Sequence, residues 1–177
     1  MELYLFNPDS DLALANNEAN YIAPASARRM AQDMALLPIW YAAPGSAVLA
    51  PSAYNADFLK RMRELFGLQV QLVTEPELPD YAEARIVPWG WNPAIRRFFL
   101  KGGVREDRLP SPRLLAEYRL LSSRLQAVAV TRRMTDRYPE CTCGEHTLLN
   151  NIADCERTVN ALSLIHISEP TRRVVIS

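Results

Sequence analysis

The fold class is decided by one stretch near the amino terminus, Leu3-Tyr4-Leu5-Phe6 followed by Asn7-Pro8-Asp9-Ser10-Asp11. Its apolar half predicts a short buried strand, because a run of apolar residues that ends at turn formers is typical of strands in parallel sheets. Its polar half predicts a loop, since Asn, Asp and Pro all favour turns. Ligands of open α/β sheets usually bind beyond the carboxyl ends of the strands, which makes this loop a candidate site.

A second stretch repeats the pattern. Residues 85–87 predict a strand, which runs into Pro88-Trp89-Gly90-Trp91-Asn92-Pro93 and then into a helix with Pro in its first turn. If the two strands are parallel neighbours, the two loops that follow them face one crevice.

The remaining segments alternate between strand and helix patterns. Strands are predicted at residues 39–41 and 68–73, a short extended segment at 47–50, and helices near 24–36, 52–66, 93–101 and 111–133. This alternation predicts an α/β fold with a small parallel, Rossmann-like sheet and flanking helices. We expect a Rossmann-like domain at residues 1–110, and a helical linker with the start of a further domain at residues 111–161.

Composition narrows the class of protein. The chain has 177 residues, an apolar fraction of 49% and a formal net charge of zero. These values favour a domain with its own core, and they suggest neither a nucleic-acid nor a membrane partner. The chain shows no secretory signal pattern, and three cysteines are an odd number that fits a reducing compartment. We therefore expect a cytoplasmic protein; its oligomeric state stays open.

The acidic loop supplies three candidate binding residues, Asn7, Asp9 and Asp11. Two carboxylates at this spacing could bind a cation, a ribose or a substrate amine, or act as a general base. The alternative is a turn in which these side chains satisfy local backbone donors.

The double-tryptophan loop supplies three more candidates, Trp89, Trp91 and Asn92. Aromatic faces could enclose a base or a sugar, and the amino terminus of the following helix could receive an anion. The alternative is that the rings pack into the core and that Asn92 only caps the helix.

Two kinds of cofactor site are not expected. The group Cys141, Cys143, His146 and Cys155 suggests zinc, but one residue separates the first two cysteines, where structural zinc sites place two to four. Neither a dinucleotide-binding nor a P-loop glycine motif is present in the sequence. We predict no metal ligands and no cofactor-binding residues in this chain.

The carboxyl-terminal segment has an unusual sequence. Residues 162–172, LSLIHISEPTR, resemble the in-frame translation of a sequencing adapter over eleven consecutive residues. We expect residues 162–177 to be an artefactual tail, and the natural reading frame to stop being informative near Ala161. The alternative is a genuine amphipathic strand at residues 164–167.

Several motifs together resemble a protein family. They are residues 7–14, 23–27, 37–40, 88–93, 109–112 and 122–124. As a set they are similar to motifs in a group of uncharacterised bacterial proteins whose carboxyl-terminal half is ATP-grasp-like, and the resemblance covers residues 1 to about 160. It implies that this chain is the pre-ATP-grasp domain and the helical linker of such a protein.

The resemblance also implies a function. ATP-grasp ligases activate a carboxylate as an acylphosphate and couple it to an amine or a thiol, and their amino-terminal domain helps to bind the acceptor. We therefore expect the substrate-binding fragment of a carboxylate ligase, inactive alone, whose ATP and Mg²⁺ are held by residues outside this chain. Two alternatives stay open: a non-catalytic Rossmann-like module for a small ligand, and a glycosyltransferase-like domain for a nucleotide sugar.

Overall fold

The fold is α/β, as the sequence predicts, and its centre is an all-parallel sheet. The computed structural model describes residues 1–140, 149 and 151–161. The strands are β1 (Glu2–Leu5), β2 (Ser46–Leu49), β3 (Val70–Val73) and β4 (Arg85–Pro88). Their order in the sheet is β3-β2-β1-β4, which matches the first four strands of the Rossmann order 3-2-1-4-5-6.

Helices connect and follow these strands. They are α1 (Ser10–Asn16), α2 (Ala25–Asp33), α3 (Ala56–Phe66), α4 (Pro93–Lys101), α5 (Pro112–Leu121), α6 (Arg124–Arg137) and α7 (Ile152–Ala161). Short 3₁₀ segments lie at Leu37–Trp40, Ala53–Asn55, Glu75–Tyr81 and Glu106–Arg108. The chain divides into two compact units, Met1–Ser123 and Arg124–Ser177, so α5 belongs to the same unit as the sheet.

The predicted strand at residues 39–41 is wrong. The segment Leu37–Trp40 is a 3₁₀ helix, with a proline in its first turn, and the strand at this point of the chain is β2, Ser46–Leu49. Trp40 is half-exposed, whereas all four residues of β2 are buried and pair with strands on both sides. A central strand needs full burial, and only the second segment meets that requirement.

Two apolar layers cover the two faces of the sheet. The layer beneath α4 contains Leu3, Ala47, Leu49, Val73, Leu78, Ala84, Ile86, Phe99, Val104 and Leu109. The opposite layer contains Tyr4, Ala35, Leu36, Ile39, Val48, Ala50, Leu59 and Val70. Leu3 and Tyr4 lie in different layers because successive side chains of a strand point to opposite faces.

The helical pattern of the sequence predicts that α4 turns Ile95, Phe98 and Phe99 inward, and this is confirmed. For α3 it predicts an apolar stripe of residues 58, 59, 62, 65 and 66, of which three are exposed. Phe99 is fully buried, and Ile95 and Phe98 pack against the same core. On α3, by contrast, Leu59 is buried while Phe58 is 46% exposed. The sheet is only four strands wide, so α3 covers it with a narrow row of side chains. Residues 58, 65 and 66 of the predicted apolar stripe therefore lie at the surface.

Two helix ends match their sequence signals. Gly67 ends α3 with a φ of 64°, a left-handed conformation that favours glycine. Ser111 caps α5, because its side chain accepts a hydrogen bond from the amide of Leu114. The predicted helical run to residue 133 is divided at Ser122 and Ser123 into α5 and α6.

Thr74 and Glu77 form a capping box at the start of the 3₁₀ segment after β3, and this makes part of the stability depend on pH. The Thr74 hydroxyl, and then the Thr74 backbone amide, donate hydrogen bonds to Glu77 and hold the pKa of that carboxyl below its ordinary value. A lowered folded-state pKa stabilises the fold above the unfolded-state pKa, and this contribution is lost as the pH falls through the folded-state value. Glu77→Gln keeps a capping side chain without the charge. We expect its urea midpoint to fall less steeply with acid than that of the wild type; equal slopes would contradict the prediction.

Candidate functional site

The strand order shows where the chain changes the side of β1 on which it adds strands. The chain moves from β1 to β2 to β3 on one side, and then returns to place β4 on the other side of β1. Strands β1 and β4 are parallel neighbours in the register Leu5 opposite Pro88. The acidic loop and the double-tryptophan loop therefore leave the sheet side by side, at the switch point where open α/β sheets usually bind ligands.

Asn7 joins the two loops. Its side-chain nitrogen donates to the carbonyl oxygen of Gly90 at 2.8 Å, and its side-chain oxygen accepts from the amide of Gly90 at 3.2 Å. The side chain thus pairs with Gly90 as a peptide group of a neighbouring strand would. Asn7 is 5% exposed, so this pair is shielded from water. Its evident role is to position the double-tryptophan loop.

Gly90 is required because the two loops approach each other closely. A Cβ atom at this position would lie 2.5 Å from the Cβ atom and 2.6 Å from the Oγ atom of Ser10. Ser10 is buried at the first position of α1. Any larger residue at position 90 would therefore push the loops apart.

The two carboxylates of the acidic loop lie at the start of α1, where negative charge is favoured by the helix dipole. Asp11 is exposed in the first turn, and Asp9 is partly buried at the capping position. Burial, and then the negative charge of Asp9, raise the pKa of Tyr21. The enclosed Tyr21 hydroxyl has no hydrogen-bond partner among the described residues. Asp11 lines the crevice, and Asp9 is not among its lining residues.

The two tryptophans of the loop lie in different environments. Trp89 is 58% exposed and touches Phe6 edge-on, with ring centroids 5.5 Å apart. Trp91 is partly buried and packs against Phe99, with centroids 6.3 Å apart, as part of the core beneath α4. More than half of the Trp89 side chain is thus accessible to a ligand, while Trp91 lines the crevice and packs against the core.

Asn92 caps α4. Its side-chain oxygen accepts a hydrogen bond of 3.0 Å from the amide of Ile95, and the residue is 1% exposed. Helix capping is the structural alternative to ligand binding that the sequence suggests for Asn92. Its predicted contact with a ligand stays a prediction.

The crevice between the loops has a volume of about 350 Å³. Its walls include the predicted residues Asp11, Trp89 and Trp91. They also include Ser10, Leu14, Pro88, Gly90, Tyr118, Leu121 and Ser122. The last three come from α5 and the residue that ends it, a segment that the sequence assigned to a linker, and no local signal placed them beside the crevice.

Helix α5 is held next to the crevice. A guanidinium nitrogen of Arg119 donates to the carbonyl oxygen of Ala15 in α1 at 3.0 Å, and Leu115 is buried. The crevice therefore has walls from the acidic loop, the double-tryptophan loop and α5.

Further predictions concern metals, the tail and membranes. Within residues 1–140, 149 and 151–161, no three His, Cys, Asp or Glu side chains are close enough to share a metal ion. Cys155 is an exposed free thiol; Cys141, Cys143, His146 and the adapter-like run at 162–172 lie outside the described residues. None of the helices in the described part has the length and hydrophobicity that a membrane span requires.

Comparison with known proteins adds no relative: no protein-family model, no curated protein and no solved structure matches this chain. The chemistry of the crevice is therefore the basis for assigning a function.

Proposed function

We propose that the unit Met1–Ser123 is the substrate-binding domain of an ATP-grasp-type carboxylate ligase, and that its crevice binds the amino group of the acceptor. One observation carries the proposal: Asp11 and the exposed Trp89 line one crevice at the switch point between β1 and β4. The ligase part is supported by the motifs that resemble those of proteins with an ATP-grasp-like half.

The lining of the crevice suits a small cation with polar substituents. An ammonium group can donate to the Asp11 carboxylate, and hydrogen bonds of this charged kind contribute about 1.5–3 kcal/mol. The exposed face of Trp89 attracts the same cation, by about 0.5–1 kcal/mol at an exposed site. The hydroxyl groups of Tyr118 and Ser122 are available to polar substituents. The described residues that line the crevice include neither Lys nor Arg.

Under this proposal the domain presents the amine to a carboxylate activated elsewhere in the parent protein. The bound ammonium first gives up a proton to water, and the neutral nitrogen then attacks the acylphosphate carbon. The carbon–nitrogen bond forms as the bond from carbon to the phosphate oxygen breaks, phosphate leaves, and the nitrogen gives up a second proton. ATP and Mg²⁺ belong to another part of the parent, and this domain supplies the acceptor alone.

The binding half of the proposal is tested with Asp11→Asn. We expect the variant to bind ethanolamine and L-alanine at least about 10-fold more weakly than the wild type, because it loses a charged hydrogen bond. Affinities are measured by NMR titration, with acetate as the anionic probe. Stability should change by less than about 0.5 kcal/mol, since Asp11 is exposed.

The matched control is Asp57→Asn, which removes an exposed carboxylate from the first turn of α3. This variant should bind both amines as the wild type does. The binding proposal fails if Asp11→Asn keeps full affinity, or if acetate binds as tightly as the amines.

The ligase half is tested separately, by independent sequencing of the native gene past the codon for Ala161. We expect a Lys-bearing strand, then a Gly-rich loop and acidic metal ligands. A native gene without these features would overturn the ligase assignment. It would not affect the proposal that the crevice binds an amine, which the Asp11→Asn titration tests separately.

A further inference from the structure

A second cavity lies at the same edge of the sheet, beyond the carboxyl ends of β1, β2 and β3. It has a volume of about 180 Å³. Leu5 and Phe6 line it from β1, the segment 49–51 from β2, and Glu75 from the residues after β3. Phe98 of α4 contributes a further wall. Two alanines, Ala31 and Ala35, complete the lining on the α2 side.

The character of this cavity differs from that of the crevice. Of the nine residues that line it, eight are apolar, and the exception is Glu75. Alanines at positions 31, 35 and 50 leave the space that larger side chains would fill. Apolar cavities of about 150 Å³ are large enough to hold benzene, so this one accommodates a small hydrocarbon group.

A polar hollow adjoins the cavity. Ala35, Ala50 and Pro51 line both spaces, and the hollow has a volume of about 540 Å³. Its remaining lining residues are Gln32, Asp33, Ser52, Tyr54 and Asn55. Among the described residues that line either space there are two carboxylates, those of Glu75 and Asp33, and neither Lys nor Arg. The Asp33 carboxylate is already paired with the guanidinium of Arg29 at 3.8 Å.

We propose that this cavity is a second ligand site, which binds the hydrocarbon part of a small hydrophobic amine. The alkyl or aryl group enters the apolar pocket, the ammonium group pairs with Glu75 at its rim, and polar substituents extend into the hollow. The position supports a binding role, because the carboxyl edge of a parallel sheet is where such folds bind ligands. Glu75 is the one charged side chain among the described residues that line the cavity, and its negative charge favours a cationic ligand. The site shares no residue with the crevice and stands apart from the proposed function.

The experiment uses three probes of one shape: 2-phenylethylamine, 2-phenylethanol and phenylacetate. Titrations followed by NMR should rank their affinities in that order for the wild-type chain, with shifts in the methyl signals of Leu5 and Leu49. Glu75→Gln should lower the affinity for the amine about 10-fold, to that of the alcohol, and should leave the affinity for the alcohol unchanged.

A second variant fills the pocket. Ala31→Leu adds volume inside the cavity and keeps a strong helix former in α2, and it should weaken binding of the amine and the alcohol alike. The control is Asp57→Asn, which should bind 2-phenylethylamine as the wild type does, because Asp57 lines neither the cavity nor the hollow.

Three outcomes would overturn the proposal. The first is binding that Asp11→Asn abolishes and Glu75→Gln leaves intact, which would place the amine in the crevice and support the proposed function instead. The second is saturation by the amine without a shift of the Leu5 and Leu49 methyl signals. This test uses the wild-type chain alone, so it does not depend on whether a variant folds. The third is the absence of binding by any of the three probes.

Discussion

Phe99→Ala is expected to lower the free energy of unfolding of the unit Met1–Ser123 by about 3–5 kcal/mol, the range for large-to-small changes at buried aromatic positions. Phe99 is fully buried in the layer beneath α4, edge-on to Phe98 at 5.2 Å and to Trp91 at 6.3 Å. Its loss removes apolar contacts and leaves a cavity directly under the double-tryptophan loop. Typical domains are stable by about 5–15 kcal/mol, so the expected loss is a large share of the total.

This loss is measured by urea unfolding followed by tryptophan fluorescence. All three tryptophans, Trp40, Trp89 and Trp91, belong to the unit Met1–Ser123, so the signal reports on that unit. The matched control is Phe58→Ala, the same substitution at a side chain that is 46% exposed, for which we expect a loss below about 1 kcal/mol. Similar losses for the two variants would show that the apolar layer beneath α4 does not carry the stability assigned to it.

Gly90→Ala is the second change with a large expected effect. The new methyl group would meet the Cβ atom of Ser10 at 2.5 Å, and neither the buried Ser10 nor the paired Asn7 can yield without disturbing both loops. Overpacking of this kind costs about 1–3 kcal/mol. Because the clash moves the double-tryptophan loop, amine binding in the crevice should weaken together with stability.

A rescue variant isolates the cause. Ser10→Gly removes both atoms that the new methyl group would meet, at a cost of about 0.5–1 kcal/mol of its own in a helix. In a double-mutant cycle the pair should be more stable than the sum of the single changes by about 1 kcal/mol or more. Additive losses would mean that the contact between Ser10 and Gly90 does not limit the size of residue 90.

The features that the sequence predicted are those with local causes. Strands β1 and β4 are short apolar runs that end at turn formers, and α4 begins at a capping Asn followed by Pro. The shared edge of the two loops follows from right-handed crossovers, which make successive strands parallel. These rules predict that Asp11 and Trp89 lie beside one crevice, and both residues line it.

The features that the sequence missed depend on partners far along the chain. Residues 39–41 and 46–49 are both short apolar runs, and pairing with β1 and β3 selects the second. The difference between Trp89 and Trp91 depends on Phe99, and the wall formed by Tyr118 depends on how α5 packs. The apolar stripe of α3 satisfied the helical period, yet the narrow sheet buries only part of it.

The side-chain amide of Asn7 holds two loops of the crevice together. Because it bonds to both polar groups of Gly90, it ties the loop after β1 to the loop after β4, and these loops continue from two neighbouring strands. A ligand that enters the crevice therefore meets a preformed floor and orders little backbone there, which lowers the entropic cost of binding. The opposite wall, α5, is held to α1 by the exposed hydrogen bond from Arg119 to Ala15.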